Sequence, residues 1–128
     1  MNHRTTVFAL AALLLAASAW AHHSMSALFD FKDRVTLTGT LTKMDWRNPH
    51  ISVYVDAKIG DKVQPWSIEG PAPNFFRARD ISKVDVEQAI GKIVTAEVSR
   101  ARDGSNAGLL RTLNLPDGKV VSACPQNC

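Results

Sequence analysis

Apolar and polar residues alternate in two stretches between residues 35 and 56, which predicts two β-strands joined by the turn signal Asn48-Pro49. The first stretch places four threonines on one face and apolar residues on the other. Gly39 lies where the alternation would place an inward-facing apolar side chain. A glycine at such a position predicts a bend or bulge of the kind that coils a long strand. The apolar residues of the two strands are Val35, Leu37, Leu41, Ile51, Val53 and Val55.

Further strand patterns follow at 62–69, 92–100, 109–115 and 119–123, and Pro65 predicts an edge or a bulge in the first of these. A short helix is expected at about 73–80, where it would bury Phe75 and Phe76. Three strands, a helical connection and two or three more strands is the order of an OB-type fold, a small Greek-key β-barrel. The sequence therefore predicts an all-β domain of five to six strands with one short helix, and the alternative is an open β-sandwich.

The first 21 residues have the three parts of a secretory signal peptide: a charged start at Arg4, a short apolar run and an Ala-x-Ala end. The apolar run is shorter than the roughly 20 residues of a membrane-spanning helix, and no later stretch qualifies. We therefore expect a periplasmic or secreted protein whose mature chain starts at His22. Its predicted parts are an N-terminal arm at 22–33, one domain at 34–123 and a tail at 124–128.

The charge distribution argues against a nucleic-acid-binding protein, and the two cysteines predict a disulfide. The net charge is +3, and it falls to +2 when Arg4 leaves with the signal peptide. Basic residues are scattered among acids, so the clustered basic face of a nucleic-acid-binding protein is not expected. Cys124 and Cys128 form the sequence Cys-Pro-Gln-Asn-Cys, which in an exported protein predicts a disulfide that closes a very small loop. A soft-metal or redox-exchange role for the two cysteines is the alternative.

Several short motifs occur together in the mature sequence: Ala-His-His-Ser at its start, Val-Thr-Leu-Thr-Gly-Thr, Trp-Arg-Asn-Pro-His, Asp-Gly-Ser-Asn and Leu-Pro-Asp-Gly-Lys. With these motifs the chain resembles a family of small secreted bacterial proteins, the domain of unknown function 6152. The resemblance extends from His22 to about Val121, and the cysteine tail is not part of it. It implies an exported β-rich domain and assigns no activity.

Three histidines remain after the expected cleavage: His22, His23 and His50. His22 would carry a free α-amino group beside its own imidazole, and these two nitrogens can chelate one metal ion. His23 or His50 would supply a third nitrogen, and Asp45 is a candidate to orient His50. Nitrogen-rich sites of this kind favour Cu(II), with Ni(II) and Zn(II) behind it. The alternative is that these histidines are terminus and turn residues without a metal.

Trp46, Tyr54 and Trp66 are candidates for a surface that binds a small ligand, because OB-type folds bind on the face of their second and third strands. The alternative is that both tryptophans complete the core. The sequence has no recognisable serine nucleophile, paired carboxylates or His-Glu-x-x-His spacing, so we do not expect an enzyme. The prediction is an exported binding protein for a transition metal or, alternatively, for a small ligand or another envelope component. No particular protein partner is indicated.

Overall fold

The computed structural model describes residues 25–123. The predicted signal peptide, His22, His23 and both cysteines lie outside this range, so the interpretations of those residues stay predictions. Within residues 25–123, no helix is both long enough and apolar enough to cross a membrane.

The described chain is mostly β, with short helices. A helical segment at 25–28 leads directly into the first strand. The strands and the two later helices are β1 (Phe29–Asp45), β2 (Ser52–Ile59), β3 (Lys62–Glu69), α1 (Pro73–Arg77), α2 (Lys83–Glu87), β4 (Ile93–Ala101), β5 (Ala107–Asn114) and β6 (Val120–Ser122). The last five residues of the predicted arm, 29–33, therefore belong to the first strand.

The long strand β1 organises the sheet. Its first part pairs with β4 and its last part pairs with β2, both antiparallel. β3 pairs antiparallel with β2, and it also pairs in parallel with β5 over Ser67–Glu69 and Ala107–Leu109. β5 pairs antiparallel with β4 and β6. As a result β1, β2, β3 and β4 each pair with two other strands. β5 pairs with three, because β6 extends the sheet from it.

Gly39 lies where β1 changes partners, since it pairs with Ala57 of β2 and with Val94 of β4. A Cβ at this position would lie 2.0 Å from the carbonyl oxygen of Asp56. Only glycine allows the backbones of β1 and β2 to approach this closely. The pairing register then shifts between Leu41 and Lys43, so the predicted irregularity is present as a bulge shortly after the glycine.

The core contains the inward side chains of the strands together with Phe76 of α1 and Val86 of α2. Pro65 lies on β3 outside the part that pairs with β5, which agrees with the predicted edge position. Helix α1 is shorter than predicted and ends at Arg77, and Asp80 has a positive φ of 56°. Phe76 is fully buried, whereas Phe75 is half-buried under the guanidinium of Arg79.

Helix α2 begins with a capping box. The Ser82 hydroxyl accepts a hydrogen bond from the backbone N–H of Asp85, and the Asp85 carboxylate accepts one from the backbone N–H of Ser82. Lys119 Nζ lies 2.9 Å from the other carboxylate oxygen. The hydrogen bond from Lys119, followed by those from Ser82, lowers the pKa of Asp85 from 3.8 to about 2.

We expect replacement of Asp85 by asparagine to destabilise the protein at neutral pH but not in strong acid. Because the pKa of Asp85 is lower in the folded state, its stabilising effect is complete above pH 4 and is lost as the pH falls to about 2. Thermal unfolding, monitored by circular dichroism at neutral pH and at about pH 2, compares the stability of Asp85→Asn with that of wild type. Asp61→Asn, in the exposed β2–β3 turn, is the control. A difference between Asp85→Asn and wild type that does not change with pH would contradict the explanation.

Candidate functional site

Polar side chains gather on the outer face of β1, β2 and β3, because successive side chains of a strand point to opposite sides. On β2, Val53 and Val55 are buried while Ser52 and Tyr54 face outward. The pairing register places Ser52 between Asp45 of β1 and Glu69 of β3. One row further, Tyr54 lies between Lys43 and Ser67. This outer face therefore combines carboxylates, hydroxyls and one aromatic ring.

His50 lies at one end of this face, in the loop that joins β1 to β2. Its ring nitrogen Nδ1 is 2.5 Å from Oε1 of Glu69, and its side chain is 43% exposed. The other ring nitrogen, Nε2, has no hydrogen-bond partner among the described residues. A carboxylate at one nitrogen of a histidine fixes the orientation of the ring, and proteins use this arrangement to direct the second nitrogen toward a metal ion. The loop therefore presents an oriented histidine.

The expectation that Asp45 orients His50 is wrong, because Asp45 contacts other residues. Its carboxylate accepts hydrogen bonds from Lys43 Nζ at 3.1 Å and from the hydroxyl of Tyr54 at 3.2 Å. The bond from Lys43 and then the weaker effect of Tyr54 hold the pKa of Asp45 below its ordinary value of 3.8. Asp45 therefore fixes the position of Tyr54, and Glu69 is the partner of His50.

Glu69 was missed because it is distant from His50 in sequence, although a signal for it exists. The turn at Gly60 and Asp61 joins β2 to β3, and a tight turn fixes the pairing of the two strands. Counting back from that turn places Ser52 opposite Glu69, which is the observed register. A histidine two residues before Ser52 then lies beside the Glu69 carboxylate.

The structure does not bring the three predicted aromatic residues onto one surface. Trp46 is half-buried, and its ring packs against Phe76 with 5.2 Å between the ring centroids. Trp66 is 4% exposed and belongs to the core. Tyr54 lies on the outer face of β2. The alternative interpretation, in which both tryptophans complete the core, is therefore correct for Trp66. Trp46 is only partly buried and packs against the core.

A cavity of about 330 Å³ lies beside Tyr54. We call it the Tyr54 cleft, and residues that border it include Tyr54, Asp56, Pro65, Trp66, Ser67 and Asn106. The loop between β4 and β5 closes one side, because the carbonyl oxygen of Asn106 accepts a hydrogen bond from the backbone N–H of Ser67. The side-chain amide of Asn106 donates to Gln64 at 3.2 Å. The cleft is therefore built from strands and a loop that are attached to each other.

Within residues 25–123, no group of three or more His, Cys, Asp or Glu side chains is arranged to hold a metal ion. His50 and Glu69 form a pair. A metal site at His50 would thus need further ligands from outside the described range, and His22 and His23 are the predicted candidates.

The start of the described chain contacts the loop between β4 and β5. Arg102, in the β4–β5 loop, donates hydrogen bonds to the carbonyl oxygens of Ser26 and Leu28, each at 2.9 Å. Ala27 and Ala107 border a common cavity. Ala107 pairs with Ser67, which is two residues, or about 7 Å of strand, before Glu69. The start of the described chain therefore lies beside the loop that leads into β5, the strand that pairs with the end of β3.

The fold and the outer face together define a small, mostly β protein with an oriented histidine and an open cleft. Residues 10–111 of the 128 match a family of unknown function, DUF6152. The chain belongs to this family, which confirms the resemblance inferred from its motifs. No curated protein and no solved structure matches the sequence.

Proposed function

We propose that this protein is an exported, periplasmic or secreted binding protein that holds a transition-metal ion, copper first, through His22, His23 and His50. The observation that carries the proposal is the pairing of His50 with Glu69, which leaves Nε2 of an exposed histidine free among the described residues. Zn(II) and Ni(II) are the next candidates. We propose binding rather than catalysis as its role.

The proposed ligand set is chemically consistent with Cu(II). The α-amino group and imidazole of His22 would form a chelate, and His23 and His50 would add imidazole nitrogens. His22 is three residues before Met25, and extended chain covers at most about 3.6 Å per residue. The segment from Met25 back to His22 can therefore span about 11 Å at most.

We also propose that the domain is a small OB-like Greek-key β-barrel. Support comes from the strand pairings, in which β1, β2, β3, β5 and β4 form a continuous ring through the parallel contact of β3 with β5. The two helices lie between β3 and β4, where an OB-type fold carries its helical connection. In such a fold the outer face of β2 and β3 is the usual binding surface.

Titration of the mature, signal-cleaved protein with Cu(II) tests the metal proposal. We expect one ion per chain. Glu69→Gln should weaken binding by about 10–100-fold, as loss of a histidine-orienting partner typically does. His50→Ala should weaken it more, because a ligand itself is removed. Glu87→Gln, an exposed carboxylate on α2, is the control. Equal affinities of wild type, Glu69→Gln and His50→Ala would exclude His50 from the site.

A second candidate function is binding of a small ligand or another envelope component without a metal. The Tyr54 cleft favours it, because none of the residues that border the cleft is a histidine. Ligand binding that survives removal of metal by EDTA would support this candidate, and binding that EDTA abolishes would count against it.

A further inference from the structure

We propose that the Tyr54 cleft binds a neutral sugar ring of an oligosaccharide. This inference is independent of the metal site and gives the second candidate function a chemical class of ligand. The cavity of about 330 Å³ is at the lower end of the size range of small-molecule sites, roughly 300–1,000 Å³. Such a volume suits one or two rings of a chain rather than a folded partner.

The floor of the cleft contains two flat apolar groups, the rings of Tyr54 and Pro65. In the pairing of β2 with β3, Tyr54 is opposite Ser67 and Asp56 is opposite Pro65. Tyr54 and Pro65 are therefore diagonal neighbours, with their backbones about 7–8 Å apart. One face of a pyranose ring carries C–H bonds, which pack favourably on the electron-rich face of an aromatic ring. The floor therefore has the shape and polarity that a sugar ring requires.

The ring of Tyr54 is held in position before any ligand binds. Its hydroxyl donates a hydrogen bond to Asp45 at 3.2 Å. The ammonium of Lys43 lies 4.9 Å from the ring centroid and also contacts Asp45. In addition, Thr42 donates a hydrogen bond to the carbonyl oxygen of Tyr54. A ring held in this way needs little ordering on binding, which favours affinity.

The border of the cleft combines hydrogen-bond donors and acceptors. Asp56 contributes a carboxylate, Ser67 a hydroxyl and Asn106 an amide. Sugar hydroxyls both donate and accept hydrogen bonds, so a mixed border of this kind matches them. The side chain of Trp66 points to the core instead, so it lines the cleft only from below.

Two other classes of ligand fit the cleft less well. A nucleic acid requires unpaired cations, whereas Lys43 is already paired with Asp45 and the cleft also contains the Asp56 carboxylate. A peptide could add as a strand along the part of β3 that does not pair with β5. Pro65 lies in that part and has no N–H to donate, which disfavours strand addition.

NMR titration of the EDTA-treated mature protein tests the inference. The residues that border the cleft report binding through their backbone amide signals, and the indole N–H signal of Trp46, whose ring packs on Phe76, is a reference outside the cleft. The probes are cellotriose and the N-acetylglucosamine trimer, each at millimolar concentration. We expect either trisaccharide to shift the backbone amide signals of Ser67 and Asn106 and to leave the indole signal of Trp46 unchanged. Tyr54→Ala should lower the affinity about tenfold. Tyr54→Phe should lower it less, because the aromatic ring remains and only its hydrogen bond to Asp45 is lost.

The controls separate a binding role from a structural one. Phe31→Ala removes an exposed aromatic ring outside the cleft and should leave the affinity unchanged. Asn106→Ala is a second cleft variant, for use if Tyr54→Ala alters the amide spectrum. The inference is overturned if neither trisaccharide shifts the amide signals of Ser67 and Asn106, if both cleft variants bind as wild type does, or if an oligothymidylate alone produces the shifts. Because the protein is free of metal, these outcomes are independent of the copper proposal.

Discussion

Gly39→Ala is expected to destabilise the fold by about 3 kcal/mol or more, at or beyond the upper end of the usual cost of overpacking. The new Cβ would lie 2.0 Å from the carbonyl oxygen of Asp56 and 2.6 Å from the Cα of Ala57. Both atoms belong to the backbone of β2, so no side-chain movement can relieve the clash. Relief requires separation of β1 from β2 at the point where β1 changes its pairing partner.

Urea unfolding of the metal-free protein measures this loss. Gly60→Ala is the matched control, because a Cβ there meets no atom within 4 Å and the only cost is the positive φ of 59°. That conformation costs about 1–2 kcal/mol for a residue with a side chain. If Gly39→Ala were no more destabilising than Gly60→Ala, the close approach of β1 and β2 would not be a requirement of the fold.

Blocking the α-amino group of His22 is expected to weaken Cu(II) binding by more than the 10–100-fold loss expected for Glu69→Gln. The proposed chelate needs a free amine next to the first imidazole, and a blocked amine has no available lone pair. A glutamine placed before His22 and cyclised to pyroglutamate gives such a chain. An ordinary extra residue is unsuitable, because its own amine would form a new chelate with the histidines that follow.

Competition titration against a chelator of known affinity measures the effect. A mature chain with one residue added after Cys128 is the control, since it is equally long and keeps the amine of His22. Unchanged affinity in the pyroglutamate chain would remove the amino terminus from the copper site. The Tyr54 cleft would then be the better-supported binding surface.

Strand patterns in this chain were predictable where one face of a strand is buried. Val53 and Val55 alternate with exposed or half-buried residues, and β2 follows that alternation closely. The first part of β1 could not be recognised in this way, because residues 30–34 are largely exposed and carry no apolar period. Its pairing with β4 is also irregular between Phe29 and Arg34.

The candidate site was predictable only in part, because it depends on contacts between strands. The importance of His50 followed from its place after the Asn48-Pro49 turn, but its partner Glu69 depends on the β2–β3 register. The bulge after Leu41 changes which residues of β1 face inward, which is why Trp46 packs on Phe76 instead of joining Tyr54. The parallel contact of β3 with β5 joins segments about 40 residues apart, and no local pattern encodes such a contact.

Both copper predictions require that one ion contacts His50 and the amino terminus together. Pulsed electron paramagnetic resonance of the one-to-one Cu(II) complex tests this requirement most directly, because it reports the imidazoles bound to the ion. Comparison of the wild-type mature protein with His50→Ala should show one coordinated imidazole fewer in the variant. Identical spectra would mean that His50 is not a copper ligand and would contradict the proposed site.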